Sequence, residues 1–263
     1  MTTDIVPMTT DNPYAEPGRG EPPPSRWRAW FGWLAVAVVG GLILLALVAP
    51  MTRRGVPEVA RRVACQSNLK AIAQAMLAYE QEHGSLPPAC TRDAEGRPLH
   101  SWRTLLLPYL EERQLFESID LTKPWDDPVN AAAREQMPHV LVCPSARLPP
   151  GHTTYLAVVS PEGCFRADGA VKLAEVREPS KTLLLAEFPS ARAVPWMAPV
   201  DADEAMFLAL ASGNLPDHRG GVVNCGFADG HIVTINLSDP ADTPAEWRRS
   251  LIGTQSEKIS LGE

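Results

Sequence analysis

Apolar and polar positions fall into two unlike patterns near the start of this chain. Residues Ala29 to Met51 form an uncharged, continuously apolar run, longer than the roughly 20 residues a helix needs to cross a bilayer. From Arg61 to Pro88 the pattern changes to a period. Cys65, Leu69, Ile72, Met76 and Tyr79 recur at helical spacing and draw one apolar stripe along a polar helix. Pro57 suits the first helical position, and His83-Gly84 suit the end, with Gly84 free to take the left-handed cap. A helix from Pro57 to His83 is roughly 40 Å long. Its stripe needs a surface to cover it, and a sheet with one apolar face supplies that surface.

Further along, the periods shorten. Residues 101–118 read as a helix opened by Ser101 as N-cap, with Pro108 kinking or dividing it. Asn130 to Gln136 reads as a short helix, and Pro144 is preceded by a β-type run from His139 to Cys143. Two more β-type runs cover Thr153–Val159 and Thr182–Phe188. Val222–Phe227 and Ile232–Leu237 flank Ala228-Asp229-Gly230-His231, where Asp-Gly predicts a tight hairpin turn, type I′ with positive φ at both central residues. A last short helix is expected over Pro244–Leu251. Long helix, short helices and then strands make an α+β order, with the helix packed on an antiparallel sheet.

Composition refines this. The net charge of −7 excludes a general nucleic-acid binder, which would carry a basic stripe. The 26 prolines predict abundant loops. Residues 1–28, with Pro22-Pro23-Pro24, lack the apolar content for a core and are expected to be disordered. A cleaved signal peptide is the competing reading of the apolar run. Its length exceeds an ordinary h-region, and Pro50-Met51-Thr52-Arg53-Arg54 follows it instead of a small-residue cleavage site, both favouring a retained anchor over 29–50. Arg19, Arg26 and Arg28 precede the run while Arg53, Arg54, Arg61 and Arg62 follow it, so charge balance does not fix orientation.

Several landmarks in order resemble a bacterial family of pseudopilin-like proteins, domain of unknown function 1559. They begin with Leu47-Val48-Ala49-Pro50 and the stretch Arg61-Arg62-Val63-Ala64-Cys65-Gln66-Ser67-Asn68-Leu69-Lys70-Ala71-Ile72, followed by Gly84-Ser85-Leu86-Pro87-Pro88. Ser101-Trp102-Arg103, Leu106-Leu107-Pro108-Tyr109, Lys123-Pro124-Trp125-Asp126 and Val142-Cys143-Pro144-Ser145 continue the series. It closes with Pro179-Ser180-Lys181-Thr182, then His218 through Gly220-Gly221 and Asn224 to Phe227-Ala228-Asp229-Gly230. The resemblance implies a pilin-like fold and an exported domain over 51–263, with the lipid bilayer and other envelope or pilin-like proteins as partners. One departure stands out: Trp30-Phe31-Gly32-Trp33-Leu34 replaces the family's prepilin peptidase site, so no processing is expected.

Candidate chemistry is sparse. His218 with Asp229 suggests a catalytic or metal edge, and Asp217 with Asp229 a Ca²⁺ site built from loop oxygens. The competing reading makes Asp229-Gly230 a turn and Gly220-Gly221 a strand entry. Cys143, His152 and Cys164 suggest zinc or a thiol–base pair, but their spacing fits no zinc module. Five cysteines without a CxxC motif leave room for one or two disulfides in an oxidising compartment, with Cys143 joined to Cys90 or Cys164. Cys65 falls on the stripe as a core thiol, and Glu187 at a strand end reads as solvated. Neither a cofactor, a metal nor a small-molecule substrate is assigned, and no motif for nucleophilic, phosphoryl-transfer or dinucleotide chemistry is present. Three functions therefore compete. They are a membrane-anchored structural or partner-binding protein without catalysis, a tethered enzyme or metal site on the His218/Asp229 edge, and a polysaccharide module exposing Trp102, Trp125 and Trp196 in one groove.

Overall fold

A computed structural model describes residues 30–31, 33–34, 37–43, 58–212, 221–237 and 249–252. The chain divides into two compact units, Met1–Gly55 and Val56–Glu263. In the first, every described position is helical, and Trp30, Phe31, Trp33 and Leu34 are 58–79% exposed. Much of the 29–50 run lies outside the described residues, as does the 1–28 tail. Among the described residues no helix is long and apolar enough to cross a membrane.

The second unit begins with α1, Glu58–His83. Glu58 in its first turn pairs with Arg61 at 2.6 Å, and an acidic group there also complements the helix dipole. Gly84 ends the helix at φ +75°, its N–H bonding the Glu80 carbonyl at 2.7 Å. The stripe holds: Cys65, Leu69, Ile72 and Met76 are fully buried, and Tyr79 is half-buried against the same core.

A hairpin of β1 (Cys90–Arg92) and β2 (Pro98–Ser101) follows, unanticipated from the sequence because a Pro and a His interrupt its short strands. Ser101 caps the next helix as expected, accepting from the Arg103 N–H. The helix read over 101–118 is divided around Pro108, as its place in the run suggests, into three pieces: α2 (Trp102–Leu105), a 3-10 turn at Leu107–Leu110 and α3 (Arg113–Glu117). Pro108 sits in the first turn of the 3-10 segment, and Glu111 reverses the chain at φ +64°. A 3-10 turn over Pro128–Asn130 leads into α4, Ala131–Arg134.

The run His139–Cys143 is a correction. It forms a 3-10 turn at His139–Leu141 and no strand. Pro138 and Pro144 bracket it, and the Val142 carbonyl is taken by the Asn68 side chain of α1 at 2.9 Å instead of by a neighbouring strand. Short β3 (His152–Thr153) pairs with β6 (Val194–Pro195), separate from the main sheet. That sheet comprises β4 (Tyr155–Val159), β5 (Leu183–Glu187), β7 (Ala202–Asp203), β8 (Val222–Phe227) and β9 (Ile232–Asn236), in the order β7-β4-β5-β8-β9. Four strands are antiparallel, but β7 joins β4 in parallel, so the sheet is mixed at one edge.

Alternation along the strands sorts the side chains to two faces. Tyr155, Ala157 and Leu185 join the core under α1. Leu156, Val158, Val223, Cys225 and Phe227 point the other way, covered by Phe207 of α5 (Glu204–Leu208) and by Leu251 and Ile252. A buried ion pair ties α2 to the sheet. Arg103 reaches Asp201 at 2.7 Å and donates to the Tyr155 carbonyl, while Asp201 also accepts from Trp102 Nε1 and the Ala157 N–H. Burial pushes the Asp201 carboxyl up, opposed by Arg103 and these donors, and pushes the Arg103 guanidinium down.

The β8–β9 hairpin corrects the turn type. Gly230 donates to the Phe227 carbonyl at 2.8 Å and Phe227 to the His231 carbonyl at 3.0 Å. Gly230 alone of the pair has positive φ, +83°. This is a type I turn with Gly230 as a left-handed bulge. Asp229 keeps negative φ because its carboxylate accepts from the His231 N–H two residues on, holding the turn from the side. The Pro244–Leu251 helix lies largely outside the described residues; Arg249 to Leu251 are helical.

Candidate functional site

A polar row runs across the sheet on the face that α1 covers. Tyr155 of β4 stands opposite Glu187 of β5, and Asn224 of β8 opposite Thr234 of β9. Asn224 Nδ2 donates to Glu187 Oε2 at 3.0 Å, and Thr234 Oγ1 donates to Asn224 Oδ1 at 2.7 Å. Gln66 of α1 closes the far end, donating to Thr234 Oγ1 at 2.6 Å. Three strands, β5, β8 and β9, thus align one chain of hydrogen bonds, and the helix seals it.

At the Glu187 end the row meets two thiols. Cys65 Sγ, from the α1 stripe, lies 2.9 Å from Cys143 Sγ. The Cys143 thiol donates to Glu187 Oε1 at 2.6 Å, and Cys65 Sγ is 3.8 Å from the same oxygen. Asn68 Nδ2, one turn along α1, fixes both the Val142 carbonyl (2.9 Å) and the Tyr155 hydroxyl (3.5 Å), so the Cys143 segment is held against the helix. Burial, then the neighbouring Cys65, Cys143 and Glu187, push the Tyr155 phenol far up, so Tyr155 stays a neutral phenol here. Cys65, Cys143 and Glu187 are each at most 1% exposed.

This cluster overturns two expectations. Glu187 is buried, not solvated, because β5 is a central strand covered on both faces. Cys143 meets Cys65, the thiol read as an isolated core residue, instead of Cys90 or Cys164. Among the described residues, the group of possible metal donors within 4.8 Å of one another is Cys65, Cys143 and Glu187. Cys164 and His152 are not in it. Cys164 is buried, which pushes its thiol up to about 12, and His152 lies against the Pro150 carbonyl.

The hairpin tip behaves as a docking point for α1. Lys70 Nζ donates to the Gly230 carbonyl at 2.6 Å, and a Cβ on Gly230 would stand 2.9 Å from Leu77 Cδ1. The Asp229 carboxylate is bound to His231 by both the ring Nδ1 and the backbone N–H. Burial raises its pKa, but these His231 contacts outweigh that and hold it below the ordinary carboxylate range. His218 and Asp217 lie outside the described residues. Trp102 and Trp196 are buried and Trp125 packs against the same core, so these rings do not line an open groove.

Residues 56–181 match the model of a family described as protein of unknown function (DUF1559). This segment belongs to that family. The DUF1559 segment carries α1, the Arg103 anchor, Tyr155 and both clustered thiols, while Glu187, Asn224 and Thr234 come from strands beyond it. No curated protein and no solved structure matches the chain.

Proposed function

We propose that this chain is a membrane-anchored, pseudopilin-like envelope protein whose α+β domain has a structural or partner-binding role, without catalysis. The observation that carries this reading is the placement of α1: a 26-residue helix laid by its apolar stripe across β5, β8 and β9, directly after an apolar run in the chain. Large apolar side chains left exposed on the described helical positions at 30–43 need a non-aqueous cover, and lipid is the cover the apolar run suits. The polar groups richest in chemistry support a non-catalytic role, since they lie inside the core beneath α1, where a substrate has no entry.

Alkaline extraction of membranes followed by intact-mass measurement tests the proposal. The expected result is full retention in the pellet until detergent is added, with an uncut N-terminal tail. Release by alkali alone would remove the anchor. A mature N-terminus at or near Phe31 would show that a degenerate prepilin site is still processed.

A further inference from the structure

Two buried thiols in contact, with an oriented carboxylate beside one of them, form a reactive unit that a packing role does not require. We propose that Cys65 and Cys143 are a dithiol–disulfide pair, with Glu187 as the group that takes the Cys143 proton. Its closure in the cell rests on the extracytoplasmic reading above; its chemistry does not.

The geometry favours a disulfide over a metal. The sulfurs are 2.9 Å apart, so about 0.9 Å of approach makes a bond of roughly 2.05 Å. Tetrahedral zinc, with Zn–S near 2.3 Å, sets its sulfurs roughly 3.8 Å apart. Both the sulfur pair and the 2.6 Å Cys143–Glu187 contact would then have to open inside a packed core. Closing the bond needs one small movement of one side chain.

Order of reaction follows from exposure. Val142 and Pro144, flanking Cys143, are exposed, whereas Cys65 lies two turns into α1 on its fully buried stripe and can be uncovered only by moving the helix. Local opening of the Cys143 segment therefore presents Cys143 first. Its proton passes to Glu187 Oε1 across the 2.6 Å contact as the segment begins to move, and the uncovered thiolate attacks a disulfide donor such as oxidised glutathione, expelling one donor thiolate that is protonated to a thiol. On reclosing, Cys65 loses its proton and attacks Cys143 Sγ, expelling the second donor thiol. Two cysteines are oxidised by two electrons, and one donor disulfide is reduced to two thiols. Asn224 holds the other carboxylate oxygen, so Oε1 stays aimed at Cys143.

The test uses the full chain in detergent, reduced and then equilibrated in glutathione buffers from strongly reducing to oxidising. Samples are acid-quenched, unfolded, alkylated and weighed, with chelator present and absent. Five adducts under reducing buffers and three under oxidising buffers are expected, with the linked peptides containing Cys65 and Cys143. In Glu187→Gln, closure should slow about tenfold or more near neutral pH, and the difference should vanish at high pH, where hydroxide takes the proton. Five adducts in every buffer, or a link between any other two cysteines, would overturn the pair. Stoichiometric zinc that shields both thiols until chelator is added would assign a metal site instead. A cytosolic reporter signal would remove the extracytoplasmic reading and leave this in-vitro closure untouched.

Discussion

Replacing Leu69 or Ile72 by Ala probes the contact on which the architecture turns. Both are fully buried between α1 and the sheet. Each loss removes about 1.5–3 kcal/mol of apolar burial, and the cavity left in a packed interior brings the cost to about 2–5 kcal/mol. For a domain of this size each kcal/mol shifts the melting temperature by roughly 2–4 °C, so a drop on the order of 10 °C is expected for either variant. Val63 lies on the same helix but is 58% exposed, and Val63→Ala should stay within about 0.5 kcal/mol. Thermal unfolding of the detergent-solubilised chain, followed by circular dichroism, measures all three. Equal melting temperatures for the three variants would instead mean that α1 is an arm whose stability does not depend on the sheet.

Other perturbations follow from the same contacts. Gly230→Val forces a β-branched residue to φ +83° and against Leu77, costing about 1–3 kcal/mol, whereas Asp229→Asn keeps the side-chain acceptor for His231 and should melt as the parent does, with or without Ca²⁺. Asp201→Ala strands the buried Arg103 guanidinium and should cost about 3–5 kcal/mol in the same melts. At pH 8 in the native state, Cys90 should alkylate first, because burial holds Cys164, near 12, and Cys225 as protonated thiols, and only a thiolate reacts. A closed Cys65–Cys143 bond spans 78 residues and removes about 4.5 kcal/mol of unfolded-state entropy, so reduction should lower the melting temperature by on the order of 10 °C.

The helix was the most legible element because its stripe and its Gly84 cap are both local signals, and both appear where the spacing puts them. The hairpin was legible for the same reason, although the side chain of Asp229 selected a type I turn with a bulge over the type I′ expected from Asp-Gly. The His139–Cys143 run misled because β-type residues between two prolines had no strand to pair with, and α1 took their carbonyl instead. The cluster of Cys65, Cys143 and Glu187 was illegible as a unit, since its members are separated by 44 to 122 positions and meet only through the fold. One signal was available. Glu187 follows the unbroken apolar run Leu183-Leu184-Leu185-Ala186, and such a run marks a strand buried on both faces, where a polar side chain must find partners.

In the proposed function, the apolar N-terminal run anchors the α+β domain on the outer side of a membrane. Paired reporters fused after Glu263 test it most directly, one an enzyme active only outside the cytosol and the other a fluorescent protein that matures only within it. An anchored, outward-facing domain gives enzyme activity without fluorescence, in cells whose membranes retain the fusion after alkaline washing. Fluorescence without enzyme activity would place residues 51–263 in the cytosol and contradict it.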